Sequence, residues 1–219
     1  MSHRPLLLGH RGARAARSIP ENTVVSFDLA LEHGCDGFEF DVRFTGDGRA
    51  VLCHDPKVGM IEVARATAGE LDHLPQLEEV LARYRRGIFL DIELKAGGLE
   101  TKIQAALRKD LPAGGYVVSS FLPETLRASY ELDATIPLGL ICDTASGLLQ
   151  WPDLPIRYVI PQQKLVSQEL IERVQREEKK IFVWTVNERE AMLKFADWGV
   201  DGIISDETEL LVKTVGRSG

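Results

Sequence analysis

The sequence predicts an α/β fold: a (β/α)8 TIM barrel, with a short hairpin arm after the second strand, in one domain over residues 1–219. Three observations carry this. Short apolar runs alternate with longer amphipathic segments along the whole chain, the rhythm of parallel strands joined by crossover helices. Eight of those runs suit a core strand, the number that closes such a barrel. At 219 residues, with 44% hydrophobic and 27% charged, the chain is long enough for one large core and falls outside the disordered and fibrous classes. A doubly wound open sheet shares the local rhythm and stands as the alternative fold.

Taken in order, LLLG (6–9) reads as the first strand. ENTVVSFDLALEHG (21–34) is its helix, with Asn22 or Thr23 as N-cap and Gly34 as the stop. GFEFDV (37–42) is the second strand, and the turn TGDG leads to AVLCHD (50–55) as a hairpin arm. LPQLEEVLARYRRG (74–87) is a helix, IFLDIELK (88–95) the third core strand and LETKIQAALRKDL (99–111) its helix. GYVVSSF (115–121) is followed by a helix that Pro123 opens in its favoured first turn. IPLGLICD (136–143) is a fifth core strand followed by a short helix near ASGLLQ. RYVIPQQ (157–163), IFVWTVN (181–187) and VDGIISD (200–206) complete the set, each with a helix after it. No internal repeat, low-complexity linker or domain boundary interrupts the pattern.

The charge balance of 26 basic against 33 acidic residues, a net of -7, argues against a nucleic-acid or anionic-membrane binder, so a phosphate site must be local. Cys35, Cys53 and Cys142 lack CxxC spacing and fit reduced thiols in the cytoplasm. The leucine run near the N-terminus is too short for a signal-peptide core or a stable membrane insertion. A soluble intracellular protein is the expectation.

Chemistry in a barrel gathers where strands end. His10 and Arg11 end the first strand, and Glu39 and Asp41 lie toward the end of the second, opposite Phe38, Phe40 and Val42. Asp91, Glu93 and Lys95 share one face at the end of the third, and His54 ends the arm. These positions are expected to converge at one rim. Carboxylates two apart on a strand point the same way and repel, so Glu39, Asp41 and Glu93 together call for a cation. Oxygen ligands alone favour one divalent ion, Mg²⁺ or Ca²⁺, over zinc. The plainer account pairs these acids with Arg11, Arg43 or Lys95 in a structural network. Two strand-end histidines add a division of labour, one accepting a proton and one donating it. Arg11 and Lys95 are suited to hold a phosphoryl group. The constellation points to cleavage of a small-molecule phosphodiester.

The blocks GHRGARAARSIPENTVVSF and FEFDVRFTGDGRAVLCHD, then LPQLEEVL, DIELK, VWTVN and GVDGIISD, resemble the glycerophosphodiester phosphodiesterase family in that family's order. The resemblance spans nearly the whole chain. It implies a (β/α)8 fold, a divalent-cation requirement, and hydrolysis of glycerophosphodiesters to sn-glycerol 3-phosphate and an alcohol. It further implies His10 and His54 as the acid/base pair, with His10 the base and His54 the acid. Glu39, Asp41 and Glu93 correspond to the metal ligands, and Arg11 and Lys95 to the phosphate contacts. Trp184 is placed to stack on glycerol or to serve as plain core. Glu21 and Asn22 brace the His10 loop or cap the first helix, Phe121 lines the pocket mouth or is simply buried, and Asp206 is expected to be structural. The chain departs from the family pattern in the slightly long ARAARSI stretch and in residues 56–74, short where many relatives carry an insertion. Rival functions are a phospholipase D-like or lysophospholipid phosphodiesterase with the same site, and a non-catalytic glycerophosphodiester-binding barrel, which should lack a histidine or a ligand. An isomerase or lyase barrel would need a Schiff-base lysine, a role Lys95 could mimic.

Overall fold

A computed structural model describes residues 4–216. Eight parallel strands form the barrel: β1 (Leu6–His10), β2 (Gly37–Phe44), β6 (Phe89–Leu94), β7 (Tyr116–Ser120), β8 (Leu138–Cys142), β9 (Tyr158–Pro161), β10 (Lys180–Val183) and β11 (Gly202–Ser205). β1 pairs with β11 on one side and β2 on the other, which closes the sheet and removes the open doubly wound alternative. The helices that follow these strands are α1 (Val24–Glu32), α2 (Leu77–Tyr84), α3 (Glu100–Lys109), α4 (Pro123–Leu132), α5 (Ala145–Leu148), α6 (Gln168–Arg176), α7 (Arg189–Asp197) and α8 (Thr208–Val215). No helix among the described residues is long and apolar enough to cross a membrane.

Strand alternation sorts the core into two layers. Phe38, Phe40 and Val42 point outward into the layer between strands and helices, where Phe27 stacks on Phe38 with ring centroids 4.1 Å apart and Tyr84 meets Phe38 edge-on at 4.9 Å. Leu8, Val117, Ile160, Phe182 and Ile204 fill the barrel interior. Phe38 is fully buried between two aromatic partners. Phe38→Ala is therefore expected to cost roughly 3–5 kcal/mol of stability, the usual penalty for emptying such a site, measured by urea unfolding. Gly37 lets β2 approach β6 closely, since a Cβ there would sit 1.8 Å from the Phe89 carbonyl oxygen.

The arm is β3 (Ala50–Leu52), antiparallel to β2 with Val42 opposite Leu52 and Phe44 opposite Ala50. The short segment after it still folds, as the two-stranded hairpin β4 (Lys57–Val58) and β5 (Ile61–Glu62) with two 3-10 turns. Val51, Cys53, Val63, Ala66 and Leu71 give it a small apolar core. The first helix is capped by Thr23, whose hydroxyl accepts from Ser26 N–H at 3.3 Å. Asn22, the other candidate cap, sits at φ +57° and turns elsewhere. All three cysteines are free and buried.

Candidate active site

The site starts from strand register. Parallel pairing sets His10 beside Glu39, Glu39 beside Asp91, and Asp41 beside Glu93. Residues in register on parallel strands face the same way, so one imidazole and four carboxylates are delivered to the inside of the barrel mouth. At the end of β1 the chain turns sharply through Arg11 (φ +54°) and Gly12 (φ +83°). A Cβ on Gly12 would lie 2.3 Å from Ser26 Oγ, so the turn packs directly on α1. Arg11 N–H donates to Glu39 Oε2 at 3.0 Å, tying the turn to β2.

One oxygen each from Glu39, Asp41 and Glu93 lies within 4.8 Å of the others, and all three residues are buried. Two cations approach them. Lys95 Nζ is 2.6 Å from Glu93 Oε1 and 3.4 Å from Asp41 Oδ1. Arg11 Nε is 3.2 Å from Asp41 Oδ2, while its Nη1 donates to Glu21 at 2.8 Å. Asn22 completes the clamp, its Nδ2 donating to Asp41 Oδ2 at 2.8 Å and its Oδ1 accepting from Asp41 N–H at 3.1 Å. Asn22 thus braces the metal-candidate strand instead of capping a helix. The plainer account of the acids is borne out in part, since Arg11 and Lys95 do pair with them. Arg43 does not: its Nε and Nη2 both donate to the His54 carbonyl, at 2.9 and 2.6 Å, and so fix the arm.

Two cations are too few for this cluster. Burial raises the Glu39 carboxyl well above its ordinary range, reinforced by repulsion from Asp41 and Glu93. Burial, with repulsion from Asp41, pushes Glu93 up to about 7. Asp91 is also pushed up to about 7 by burial, even though Ser119 Oγ donates to it at 2.5 Å. Asp41 alone is lowered: burial works against ionisation, but Lys95, Arg11 and the Asn22 amide outweigh it. Glu39 Oε1 and Asp91 Oδ2 are buried with no hydrogen-bond donor, and Glu93 Oε1 and Asp41 Oδ1 face only the shared Lys95 ammonium. Converging carboxyl oxygens with unused lone pairs suit a hard divalent ion, whose charge would offset the repulsion that keeps them from ionising together, so the cluster can bind one.

Both imidazoles are anchored through Nδ1. His10 Nδ1 is 2.7 Å from Asp206 Oδ1, and its Nε2 lies 3.9 Å from Glu39 Oε2. His54 Nδ1 is 2.7 Å from Asp55 Oδ1. Burial lowers the His54 pKa, with Asp41 and Asp55 acting the other way. Asp206, expected to be structural, holds the His10 ring through its side chain. The usable signal was its place at the end of the last strand, the same signal that singled out His10.

His10, Arg11, Glu39, His54, Glu93 and Lys95 all line one cavity. Asp41, fully buried, stands behind the wall between Arg11 and Lys95. The opposite wall is apolar and includes Trp184 and Phe121, packed edge to face at 5.6 Å. The Trp184 indole N–H donates to the Ile160 carbonyl at 2.9 Å, leaving the ring face as cavity wall. Lys95 Nζ sits 5.6 Å from the centre of the Phe121 ring.

The sequence pattern of the glycerophosphoryl diester phosphodiesterase family matches residues 10–210. The chain belongs to that family. It is an enzyme of the class, a phosphoric diester hydrolase. A glycerophosphodiester phosphodiesterase of Caldanaerobacter subterraneus subsp. tengcongensis is 30% identical, with 98% of this chain and 99% of the relative aligned. In solved structures, the glycerophosphodiester phosphodiesterase of Thermotoga maritima superposes with TM-score 0.84 at 25% identity, covering 97% of this chain and 99% of the other. An Oleispira antarctica phosphodiesterase, solved in complex with the product sn-glycerol-3-phosphate, shares the fold with TM-score 0.85 at 23% identity, covering 98% of each chain.

Proposed function

We propose that this family member hydrolyses glycerophosphodiesters to sn-glycerol 3-phosphate and an alcohol. In this reading Glu39, Asp41 and Glu93 hold Mg²⁺ or Ca²⁺, and His10 and His54 move the protons. What carries it is the meeting of two imidazoles with Glu39 and Glu93 at one cavity, Asp41 completing the carboxylate cluster just behind its wall. A divalent ion held there supplies charge neutralisation to a non-bridging phosphoryl oxygen.

The chain's own groups do the rest. Arg11 and Lys95 draw the phosphodiester into the polar side of the cavity and balance its developing charge. The Nε2 lone pair of His10 takes the proton of the attacking oxygen as its bond to phosphorus forms. His54 gives a proton to the departing alcohol as the second P–O bond breaks, so charge and atoms balance. Trp184 and Phe121 offer the glycerol a flat apolar wall that excludes water. The Oleispira antarctica phosphodiesterase holding sn-glycerol-3-phosphate supports the assignment of product. Free, buried thiols suit a reducing compartment, the cytoplasm.

The test is incubation with glycerophosphocholine and with glycerophosphoethanolamine in Mg²⁺ or Ca²⁺, assaying sn-glycerol 3-phosphate. Release with either ion, stopped by a chelator and restored by added metal, is the expected result. Turnover unaffected by prolonged chelation would refute the metal role.

A further inference from the structure

We propose that Asp206 is a positioning residue for His10, holding the neutral imidazole with its proton on Nδ1 and its Nε2 lone pair toward the cavity. The inference rests on His10 acting as the base.

The chain of donors and acceptors admits one assignment. The backbone N–H of Asp206 can only donate, and it donates to Asn187 Oδ1 at 2.9 Å. Ser205 Oγ donates to the same oxygen at 3.1 Å. The orientation of the Asn187 amide is thereby set, and its Nδ2 donates to Asp206 Oδ2 at 2.8 Å. That leaves Asp206 Oδ1 for His10 Nδ1 at 2.7 Å, with Arg14 Nη1 at 3.3 Å on the same oxygen. Although burial opposes ionisation, His10, Asn187 and Arg14 hold this carboxyl down at about 2. A carboxylate ionised at neutral pH only accepts, so the hydrogen must sit on Nδ1. In the neutral ring the other nitrogen, Nε2, is then the free acceptor.

The second histidine has no comparable device. Asp55 also meets an Nδ1, but its side chain is 74% exposed against 15% for Asp206, and water competes for it. Arg14 is in turn held by Glu21 at 2.6 Å, and Glu21 by Arg11, so the brace of His10 is continuous with the phosphate-facing turn.

Asp206→Asn tests this sharply. Asn187 still presents an N–H, so the new amide offers it the oxygen and turns its NH₂ toward His10, with Arg14 left to Glu21. That NH₂ needs an acceptor at Nδ1, and the imidazole proton is driven to Nε2, where it blocks proton uptake. Long-range ¹H–¹⁵N correlation spectra of the neutral His10 ring should show protonated Nδ1 in the native protein and protonated Nε2 in Asp206→Asn. In parallel, kcat should fall at least ~10²-fold with KM changed much less, and Asp206→Asn should add no further loss in a His10→Ala background. A ring still protonated on Nδ1 in Asp206→Asn overturns the proposal. So does native kcat in that variant when His10→Ala is inactive. Native turnover in His10→Ala itself would instead overturn the base assignment beneath it.

Discussion

His10→Ala is expected to lower kcat by roughly 10² to 10⁴-fold, the range for removing a general acid or base. The protein should stay folded. His10 is largely buried, yet its partner Asp206 keeps Asn187 and Arg14 when the ring is gone, so no carboxylate is left without donors. His54→Ala should fall in the same range, and the double variant should lose much less than the product of the two, because both groups serve one transfer. Steady-state kinetics on glycerophosphocholine, with thermal unfolding alongside, decide it. Activity surviving the loss of both rings would defeat the acid/base assignment.

Asp41→Ala and Glu39→Gln should separate stability from metal binding. Asp41 is the ionised centre of the cluster, touching Arg11, Lys95 and Asn22 at once. Removing it strips a partner from two poorly hydrated cations, a loss that typically costs roughly 3–5 kcal/mol. Glu39 is different. Burial and repulsion already favour its neutral form, and glutamine keeps an oxygen for the Arg11 N–H. Its replacement should change stability in chelator by less than about 1 kcal/mol while weakening Mg²⁺ or Ca²⁺ binding at least ~10-fold. Urea unfolding in chelator and calorimetric metal titration give the two readouts. Undiminished metal affinity in Glu39→Gln would remove it from the ligand set.

Much of this molecule was written locally. Alternation of Phe38, Phe40 and Val42 with Glu39 and Asp41 already assigned one face of β2 to the helix layer and the other to the carboxylate cluster. The spacing of eight apolar runs set the barrel, because a strand buried on both sides must be short and bounded by turns. The roles of Asn22, Arg43 and Asp206 were not visible in this way. Each acts on a partner distant in sequence or on a main-chain atom: Asn22 on Asp41 across 19 residues, Arg43 on the His54 carbonyl, Asp206 on His10 across 196.

Periodicity and like-charge repulsion act between near neighbours, so the fold class, the strand-end residues and the crowding of carboxylates were legible along the chain. Which carboxylate Arg11, Lys95 and Asn22 all hold, which ring nitrogen faces the cavity and which asparagine is a brace became visible in the folded barrel alone. Those depend on burial and on donors brought in by barrel closure, where β1 meets β11.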